Sequence, residues 1–220
     1  MSAADDAQRL CRNRQGSQSF GKLFDTDPMD QHHERLAMST PQESQTITLA
    51  GGCFWCLEAV YDRVDGVLDV ESGYSNGSVR NPTYEQVCSG DTGHAEVVKL
   101  VFDPQRISLR EILEIFFSIH DPTQLNRQGN DVGTQYRSAI YFHEPEQEAV
   151  AREVMAELVA SGVHRKPIVT QLEPLANYWP AEAYHQDYFA NNPNQGYCSF
   201  VVAPKVEKFQ KTFAARLKRD

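Results

Sequence analysis

The segment TITLAGGCFWC, from Thr46 to Cys56, holds two cysteines three residues apart where an apolar strand turns into a helix. Its first five residues are β-branched or apolar, which is typical of a strand, and the two glycines that follow allow the positive φ of a tight turn. From Phe54 to Val64 the apolar residues then recur at helical spacing. The segment therefore predicts a strand, a turn and a helix, with Cys53 at the first turn of that helix.

A cysteine at a helix start is a candidate for unusual reactivity. Free backbone N–H groups and the positive end of the helix dipole favour thiolate over thiol, so we expect the pKa of Cys53 to lie below the ordinary value. A thiolate is both a nucleophile and a metal ligand. The pair Cys53 and Cys56 can therefore serve catalysis, thiol exchange or half of a zinc site, or can simply be two small buried hydrophobic residues.

Composition and charge exclude several classes of protein. The chain has 220 residues, a formal net charge of −9 and five cysteines. We expect one domain, no nucleic-acid partner, no membrane span, a monomer and a cytoplasmic location, because phosphate-binding surfaces are basic and no apolar run approaches about 20 residues. An odd number of cysteines fits intracellular catalytic thiols better than a secreted disulfide framework, and Cys11 and Cys88 are interpreted as bystanders.

The sequence divides into three parts. Residues 1–45 form a polar extension that we expect to be flexible, and the pair His32-His33 within it is not interpreted as a metal site. Residues 46–210 form a single catalytic domain, and residues 211–220 form a basic C-terminal tail. The basic residues are interpreted as the solvated face of a terminal helix; they are Lys205, Lys208, Lys211, Arg216, Lys218 and Arg219.

The order of predicted elements indicates the fold class. Strands are expected at 46–50, 67–71, 95–102, 138–143 and 168–173, and helices follow the first, third and fourth of them. Ser108 and Glu111 form a capping box for the second helix, and Pro145 fits the first position of the third. This order predicts an α+β, two-layer sandwich with a ferredoxin-like (split β-α-β) core and long functional loops.

Several further segments carry a resemblance to a known family. They are SGYSNG at 72–77, NPTY at 81–84, GHAE at 93–96, DVGTQYRS at 131–138 and YHQ at 184–186. Together with GGCFWC, and in this order, they resemble the signatures of the A-type peptide methionine sulfoxide reductases. The resemblance runs from about Thr46 to Phe209. It implies reduction of the S epimer of methionine sulfoxide, free or in proteins, without a bound cofactor or metal, and therefore a role in the repair of oxidised proteins.

The resemblance assigns a role to each candidate residue. Cys53 is the nucleophile, which becomes a sulfenic acid. Glu96 is the acid. Strand alternation also puts it on an apolar face, where burial raises the pKa of a carboxyl group. From alternation alone, a glutamate that faces solvent or pairs with a lysine remains the alternative. The other implied residues are Tyr84 and Tyr136, which bind the sulfoxide oxygen, Asp131 near the substrate backbone, and Phe54 and Trp55, which form the aromatic wall for the methyl group. His94 and His185 are interpreted as structural.

Regeneration of the enzyme requires a second thiol. By resemblance Cys198, in Gly196-Tyr197-Cys198, is the resolving cysteine, and the resulting disulfide is reduced by thioredoxin, or by dithiothreitol in vitro. The chain departs from the common family signature, because Cys56 stands where a glycine is usual. Cys56 is therefore a second candidate, and the two can compete or act in relay.

Two rival hypotheses come from the same motif. A structural zinc site needs a second pair of ligands, and the sequence has no second CxxC or HxxxH motif. A general thiol-disulfide oxidoreductase also uses CxxC at a helix start, but the GHAE and DVGTQYRS segments are not typical of that class.

Overall fold

The computed structural model describes residues 43–219. Cys11, His32-His33 and nearly all of the predicted extension lie outside these residues. The described chain forms eight strands, β1 (Gln45–Gly51), β2 (Val67–Ser75), β3 (Ala95–Phe102), β4 (Arg127–Gln128), β5 (Asp131–Val132), β6 (Ser138–Phe142), β7 (Gln171–Pro174) and β8 (Tyr178–Pro180). Its α-helices are α1 (Phe54–Tyr61), α2 (Tyr84–Cys88), α3 (Leu109–Ile119), α4 (Pro145–Ala160), α5 (Tyr188–Asn191) and α6 (Ala203–Thr212).

Six of these strands form one sheet in the order β7-β6-β1-β3-β2-β8. Only the β6–β7 pair is parallel; the other neighbours in this sheet are antiparallel. The four central strands, with α1 between β1 and β2 and α3 between β3 and β6, have the split β-α-β arrangement. The predicted α+β class is therefore confirmed.

The two faces of the sheet are packed differently. Leu49 of β1 pairs with Val98 of β3, and both lie in the large core beneath the helices together with Leu100. Ala50 and Val97 point the opposite way, into a smaller cluster. Because side chains alternate along a strand, this register places Glu96 on the same face as Val98, under the helices.

Helices α1 and α3 follow the sequence pattern closely. The Ser108 hydroxyl accepts from the Glu111 N–H at 3.3 Å, and the Glu111 carboxylate accepts from the Ser108 N–H at 3.0 Å, as the predicted capping box requires. The Tyr61 hydroxyl donates to the Ile112 carbonyl at 2.9 Å. This bond ties the end of α1, which begins at the candidate nucleophile, to the middle of α3.

Three local features differ from the expected pattern. The last predicted strand begins at Gln171 rather than at 168, because the Val169 N–H donates to the Pro122 carbonyl at 2.8 Å in the loop after α3. The loop region between β2 and β3 holds α2, which is capped by Thr83 and Gln86. Beyond α6, Leu217 forms a β-bridge with Val64 near the end of α1.

Within residues 43–219, none of the helices combines the length and the apolar character needed to cross a membrane. The predicted limits of the catalytic domain and of the two terminal segments remain predictions.

Candidate active site

Cys53 lies at the turn between β1 and α1, immediately before the first helical residue. Gly52 has φ +93°, and a Cβ atom built on it would lie 2.6 Å from Cβ of Gln128, so both its conformation and its surroundings require glycine. Cys53 itself occupies the N-cap position and is 6% exposed. The strand and the packing of Gln128 therefore fix Cys53, which is almost wholly buried, at the start of α1.

The expected low pKa of Cys53 is wrong for this structure. Burial raises the pKa of its thiol well above the ordinary value, and a hydrogen bond to Cys56 and the charge of Glu96 add to this, while a hydrogen bond from Tyr197 acts in the opposite direction. In the first turn of α1, the Phe54 N–H donates to the Glu96 carboxylate at 3.1 Å, so it does not offset the effect of burial on the thiol.

Glu96 is a buried acid beside the nucleophile. It is 1% exposed; Oε2 accepts the Phe54 N–H, whereas Oε1 has no hydrogen-bond partner among the described residues. Burial raises its pKa to about 8, although the bond from Phe54 lowers it. Near neutral pH the side chain is therefore mainly a protonated carboxylic acid, and a free carboxyl oxygen is available for a ligand.

Two tyrosines flank this carboxyl group. Tyr84 begins α2 and its N–H donates to Glu182 at 2.9 Å, and Tyr136 ends the 3₁₀ turn Thr134–Tyr136. Burial raises the pKa of both hydroxyls, and the charge of Glu96 contributes to each. Both side chains are therefore neutral hydrogen-bond donors near Glu96, as the sequence-based assignment requires.

Asp131 approaches the site from the short strand β5. Its Oδ2 accepts from the Tyr197 hydroxyl at 2.6 Å. Tyr197 also lies close enough to Cys53 to lower the pKa of its thiol. Sequence reasoning quoted Tyr197 only as the neighbour of Cys198, and no spacing rule links it to residue 131.

An aromatic cage adjoins the thiol. The Trp55 indole stacks on the Tyr188 ring with centroids 3.7 Å apart and an interplanar angle of 7°. The His185 ring lies 5.1 Å from the Phe54 ring, 5.5 Å from the Trp55 ring and 4.5 Å from the Tyr84 ring. Stacked rings of this kind form an apolar wall that suits a methyl group or a sulfur atom.

The two histidines behave differently. The His94 ring accepts from the Gly77 N–H at 3.1 Å and lies 2.7 Å from the Val79 carbonyl, so both of its nitrogens serve the loop before β3. His185 is buried within the cage, and neither ring nitrogen has a hydrogen-bond partner among residues 43–219. Burial lowers the pKa of His185, so its neutral ring acts mainly as part of the apolar wall.

The described cysteines are free thiols, and three of them are buried. Cys56, one turn after Cys53 in α1, has its pKa lowered to about 7, first by the hydrogen bond with Cys53 and then, against the effect of burial, by Lys205. Cys198 starts a π-helical turn before α6, and burial followed by the charge of Cys56 raises its pKa. Cys56 therefore interacts with both of the other two thiols.

Cys88 lies at the end of α2 and is exposed as a residue. Partial burial of its sulfur raises its pKa, and the Tyr84 hydroxyl acts in the opposite direction. Among the residues that the structure describes, no group of three or more His, Cys, Asp or Glu side chains could hold a metal ion.

The site thus combines a thiol, a neutral acid, two hydroxyl donors and an aromatic wall. Such a set can attack a polarised atom, give a proton to an oxygen bound to that atom, and shelter a small apolar substituent. The further thiols provide a route to a disulfide.

A family model described as "Peptide methionine sulfoxide reductase" matches residues 45–217. The Peptide methionine sulfoxide reductase MsrA of Polynucleobacter asymbioticus is 58% identical over 166 residues, which cover 76% of this chain and 87% of that protein.

Two solved structures are similar to the fold. Mxr1 from Saccharomyces cerevisiae in reduced form superposes with a TM-score of 0.66 at 38% identity, over 72% of this chain and 91% of that one. The methionine sulfoxide reductase A of Corynebacterium diphtheriae gives a TM-score of 0.65 at 39% identity, over 74% of this chain and 80% of that one.

Proposed function

Since the chain belongs to the peptide methionine sulfoxide reductase family, we propose that it reduces the S epimer of methionine sulfoxide, free or in proteins, to methionine. The enzyme is an oxidoreductase of the class that its motifs predicted. One observation carries the finer proposal: the residue after Cys53 donates its N–H to Glu96, whose other carboxyl oxygen has no partner among the described residues. This pairing supports a nucleophile and an acid that act on adjacent atoms of one substrate.

Substrate binding uses the cage and the polar side of the site. The sulfoxide methyl group packs against Phe54 and Trp55, and the sulfoxide oxygen accepts hydrogen bonds from protonated Glu96 and from the hydroxyls of Tyr84 and Tyr136. With the methyl group and the oxygen on opposite sides, the sulfur faces Cys53 in only one handed arrangement. Which of the two epimers fits this arrangement is assigned from the family resemblance, which implies the S epimer.

The chemical step transfers oxygen from the substrate to the enzyme. The Cys53 sulfur attacks the sulfoxide sulfur, Glu96 gives its proton to the sulfoxide oxygen, and the proton of the Cys53 thiol replaces it on the carboxylate. The oxygen leaves the substrate sulfur and ends on Cys53 as a sulfenic acid. Two electrons pass from the thiol sulfur to the substrate sulfur, and methionine is released.

The resting thiol fits this sequence of events. A Cys53 pKa above the ordinary value keeps the thiol protonated without substrate, which limits wasteful oxidation. Once the sulfoxide oxygen takes the Glu96 proton, the carboxylate beside Cys53 becomes a base for the thiol proton. The acid and the nucleophile are therefore coupled through one proton.

Recycling proceeds as a relay. Cys56 is the first resolving thiol because it lies one turn after Cys53, with its N–H bonded to the Cys53 carbonyl at 3.1 Å, and because its pKa is lowered to about 7. Its attack on the sulfenic acid forms the Cys53–Cys56 disulfide and releases water. Cys198, whose pKa responds to Cys56, then attacks Cys56 and frees Cys53. Thioredoxin, or dithiothreitol in vitro, reduces the Cys56–Cys198 disulfide.

The relay is tested by removing one thiol at a time. Without reductant, Cys198→Ala should form about one methionine per enzyme and retain a Cys53–Cys56 disulfide, while turnover driven by thioredoxin falls at least about tenfold. Cys56→Ser should accumulate a Cys53 sulfenic acid that dimedone traps and mass spectrometry detects. A Cys53–Cys198 disulfide formed in Cys56→Ser at the wild-type rate would instead make Cys198 the first resolving thiol.

Oxidised proteins and free methionine sulfoxide are the proposed substrates, and no bound cofactor or metal enters any step. The need for a dithiol reductant supports a reducing compartment such as the cytoplasm. A monomer remains the expected state.

A further inference from the structure

Glu58 is a buried carboxylate one turn after Trp55 on α1, outside the groups assigned to the reaction. It is 2% exposed. Its Oε1 accepts from the Asp187 N–H at 3.0 Å and from the Ser72 hydroxyl at 3.1 Å, and its Oε2 accepts from the Tyr188 N–H at 3.2 Å. Burial raises the pKa of this carboxyl to about 7, against the effect of the hydrogen bonds from Asp187, Ser72 and Tyr188, so the group is partly ionised near neutral pH. A buried group of this kind is stable only when it is hydrogen-bonded, and the three donors meet that requirement.

These contacts hold the start of a very short helix. Asp187 has φ +53°, in the left-handed region, and α5 that follows has four residues and no side-chain cap of its own among the described residues. The preceding residue, Gln186, is also fixed by hydrogen bonds. Its side-chain amide accepts from the Ser72 N–H at 2.9 Å and donates to the Ser72 carbonyl at 2.9 Å. The carboxylate of Glu58 thus serves as the missing cap from across the molecule.

The ring of the clamped residue lies at the active site. Glu58 binds the backbone of Tyr188, and Trp55, three residues earlier on α1, stacks on the Tyr188 ring at 3.7 Å. Residues three apart lie on one helix face, so α1 contacts both the backbone of Tyr188, through Glu58, and its ring, through Trp55. Any shift of that backbone would tilt the Tyr188 ring and allow the Trp55 indole to change its orientation.

We propose that Glu58 is a positioning residue, which sets the plane of the Trp55 indole through Tyr188 and so shapes the pocket for the substrate methyl group. This rests on the proposed function, in which Trp55 is the wall of that pocket. Glu58 touches no reacting atom. Its loss should therefore weaken sulfoxide binding more than it slows the chemistry at Cys53.

The test uses Trp179→Phe as background, because the chain has two tryptophans and Trp55 then reports alone. Glu58→Gln keeps the size of the side chain but replaces one acceptor oxygen with a donor group. We expect KM for a blocked methionine sulfoxide, with dithiothreitol as reductant, to rise about tenfold, in line with the loss of a hydrogen bond to a charged group, and kcat to change less than about threefold. Acrylamide quenching of Trp55 fluorescence should increase.

A double-mutant cycle separates positioning from simple loss of stability. If Glu58 acts through Tyr188, then Glu58→Gln combined with Tyr188→Ala should raise KM no further than Tyr188→Ala alone. Gln147→Ala is the matched control: Gln147 is 6% exposed, accepts from the His143 N–H at 2.8 Å and donates to the Thr46 carbonyl at 2.8 Å, away from the cage. It should lower stability without changing KM or the quenching.

Additive effects on KM, or a Gln147→Ala variant that raises KM equally, would overturn the proposal. If Glu58→Gln does not fold, Ser72→Ala removes one donor to the carboxylate and should show a smaller rise in KM that Tyr188→Ala again abolishes. Failure of the proposed function can be told from failure of this proposal. A wild-type enzyme without sulfoxide turnover would contradict the proposed function, while the quenching of Trp55 would still report whether Glu58 controls the position of the indole.

Discussion

Replacement of Glu96 by glutamine tests the buried acid at the centre of the site. Glutamine has nearly the same shape, and its amide oxygen can still accept the Phe54 N–H, but it cannot ionise. The carboxyl pKa is raised from 4.5 to about 8 in the folded protein. The native state therefore retains a proton that the unfolded chain releases above pH 4.5.

The sign and size of the effect follow from linkage. Between the two pKa values the folded state binds more protons than the unfolded state, so the wild type loses stability as the pH rises, and the full loss is reached above about pH 8. The two pKa values differ by about 3.5, and a pKa difference of one corresponds to about 1.4 kcal/mol, so the loss of unfolding free energy is at most about 5 kcal/mol. Glu96→Gln removes this pH-dependent loss. The unfolding free energy of Glu96→Gln minus that of its parent should therefore be larger at pH 9 than at pH 4, by up to this amount.

The assay is urea unfolding followed by circular dichroism at pH 4, 6, 7.5 and 9, in a Cys53→Ser background so that this thiol does not titrate. The difference in unfolding free energy between the two proteins should grow with pH and level off above about pH 8. With Cys53 intact, Glu96→Gln should also reduce kcat about a hundredfold or more, as loss of a general acid does. A stability difference that does not vary with pH would refute the assignment of Glu96 as a protonated acid.

The remaining predictions concern the turn and the thiols around the nucleophile. Gly52→Ala should destabilise the protein by about 1–3 kcal/mol and lower its activity, because φ is +93° and the new Cβ would meet Gln128. The control is Gly90→Ala, at φ +84° with no described atom within 4 Å of its Cβ. In thermal unfolding it should show only the loss of stability that comes from the strained backbone conformation. In a titration of thiolate absorbance at 240 nm, the wild type should show a step near pH 7 that Cys56→Ser removes and that Cys53→Ser moves to higher pH, because Cys53 is the main cause of the low pKa of Cys56. A step near pH 7 that persists in Cys56→Ser would belong to Cys53 and would contradict the explanation given for its resting thiol.

Much of the fold was predictable because its signals are local. The capping box at Ser108 and the alternation along residues 95–102 each depend on neighbours a few residues away, and α3 and β3 form where these patterns predict. The last strand starts later than expected because Val169 pairs with Pro122, a contact distant in sequence. Helix α2 was missed because five residues are too few to show a periodicity.

The site was predictable only where motifs carried it. The short stretches around Cys53 and Glu96 were enough to suggest that these two residues meet. The stack of Tyr188 on Trp55 and the bond from Tyr197 to Asp131 join residues more than sixty positions apart, and no pattern along the chain signals such pairs.

The error in the Cys53 pKa has the same origin. A helix start favours a thiolate only if its N–H groups face the thiol, and whether they do depends on what else is packed there. Here Glu96, from a different strand, accepts the Phe54 N–H and brings a carboxyl group beside the sulfur. Burial of the thiol, to which Cys56 and Glu96 add, therefore outweighs the effect of the helix start.

The most direct test of the proposed function is a chromatographic assay of the two separated epimers of a blocked methionine sulfoxide, with dithiothreitol, for the wild type and for Cys53→Ser. We predict that the wild type consumes only the S epimer and that Cys53→Ser consumes neither. Consumption of the R epimer, of neither epimer by the wild type, or of the S epimer by Cys53→Ser would contradict the proposed chemistry.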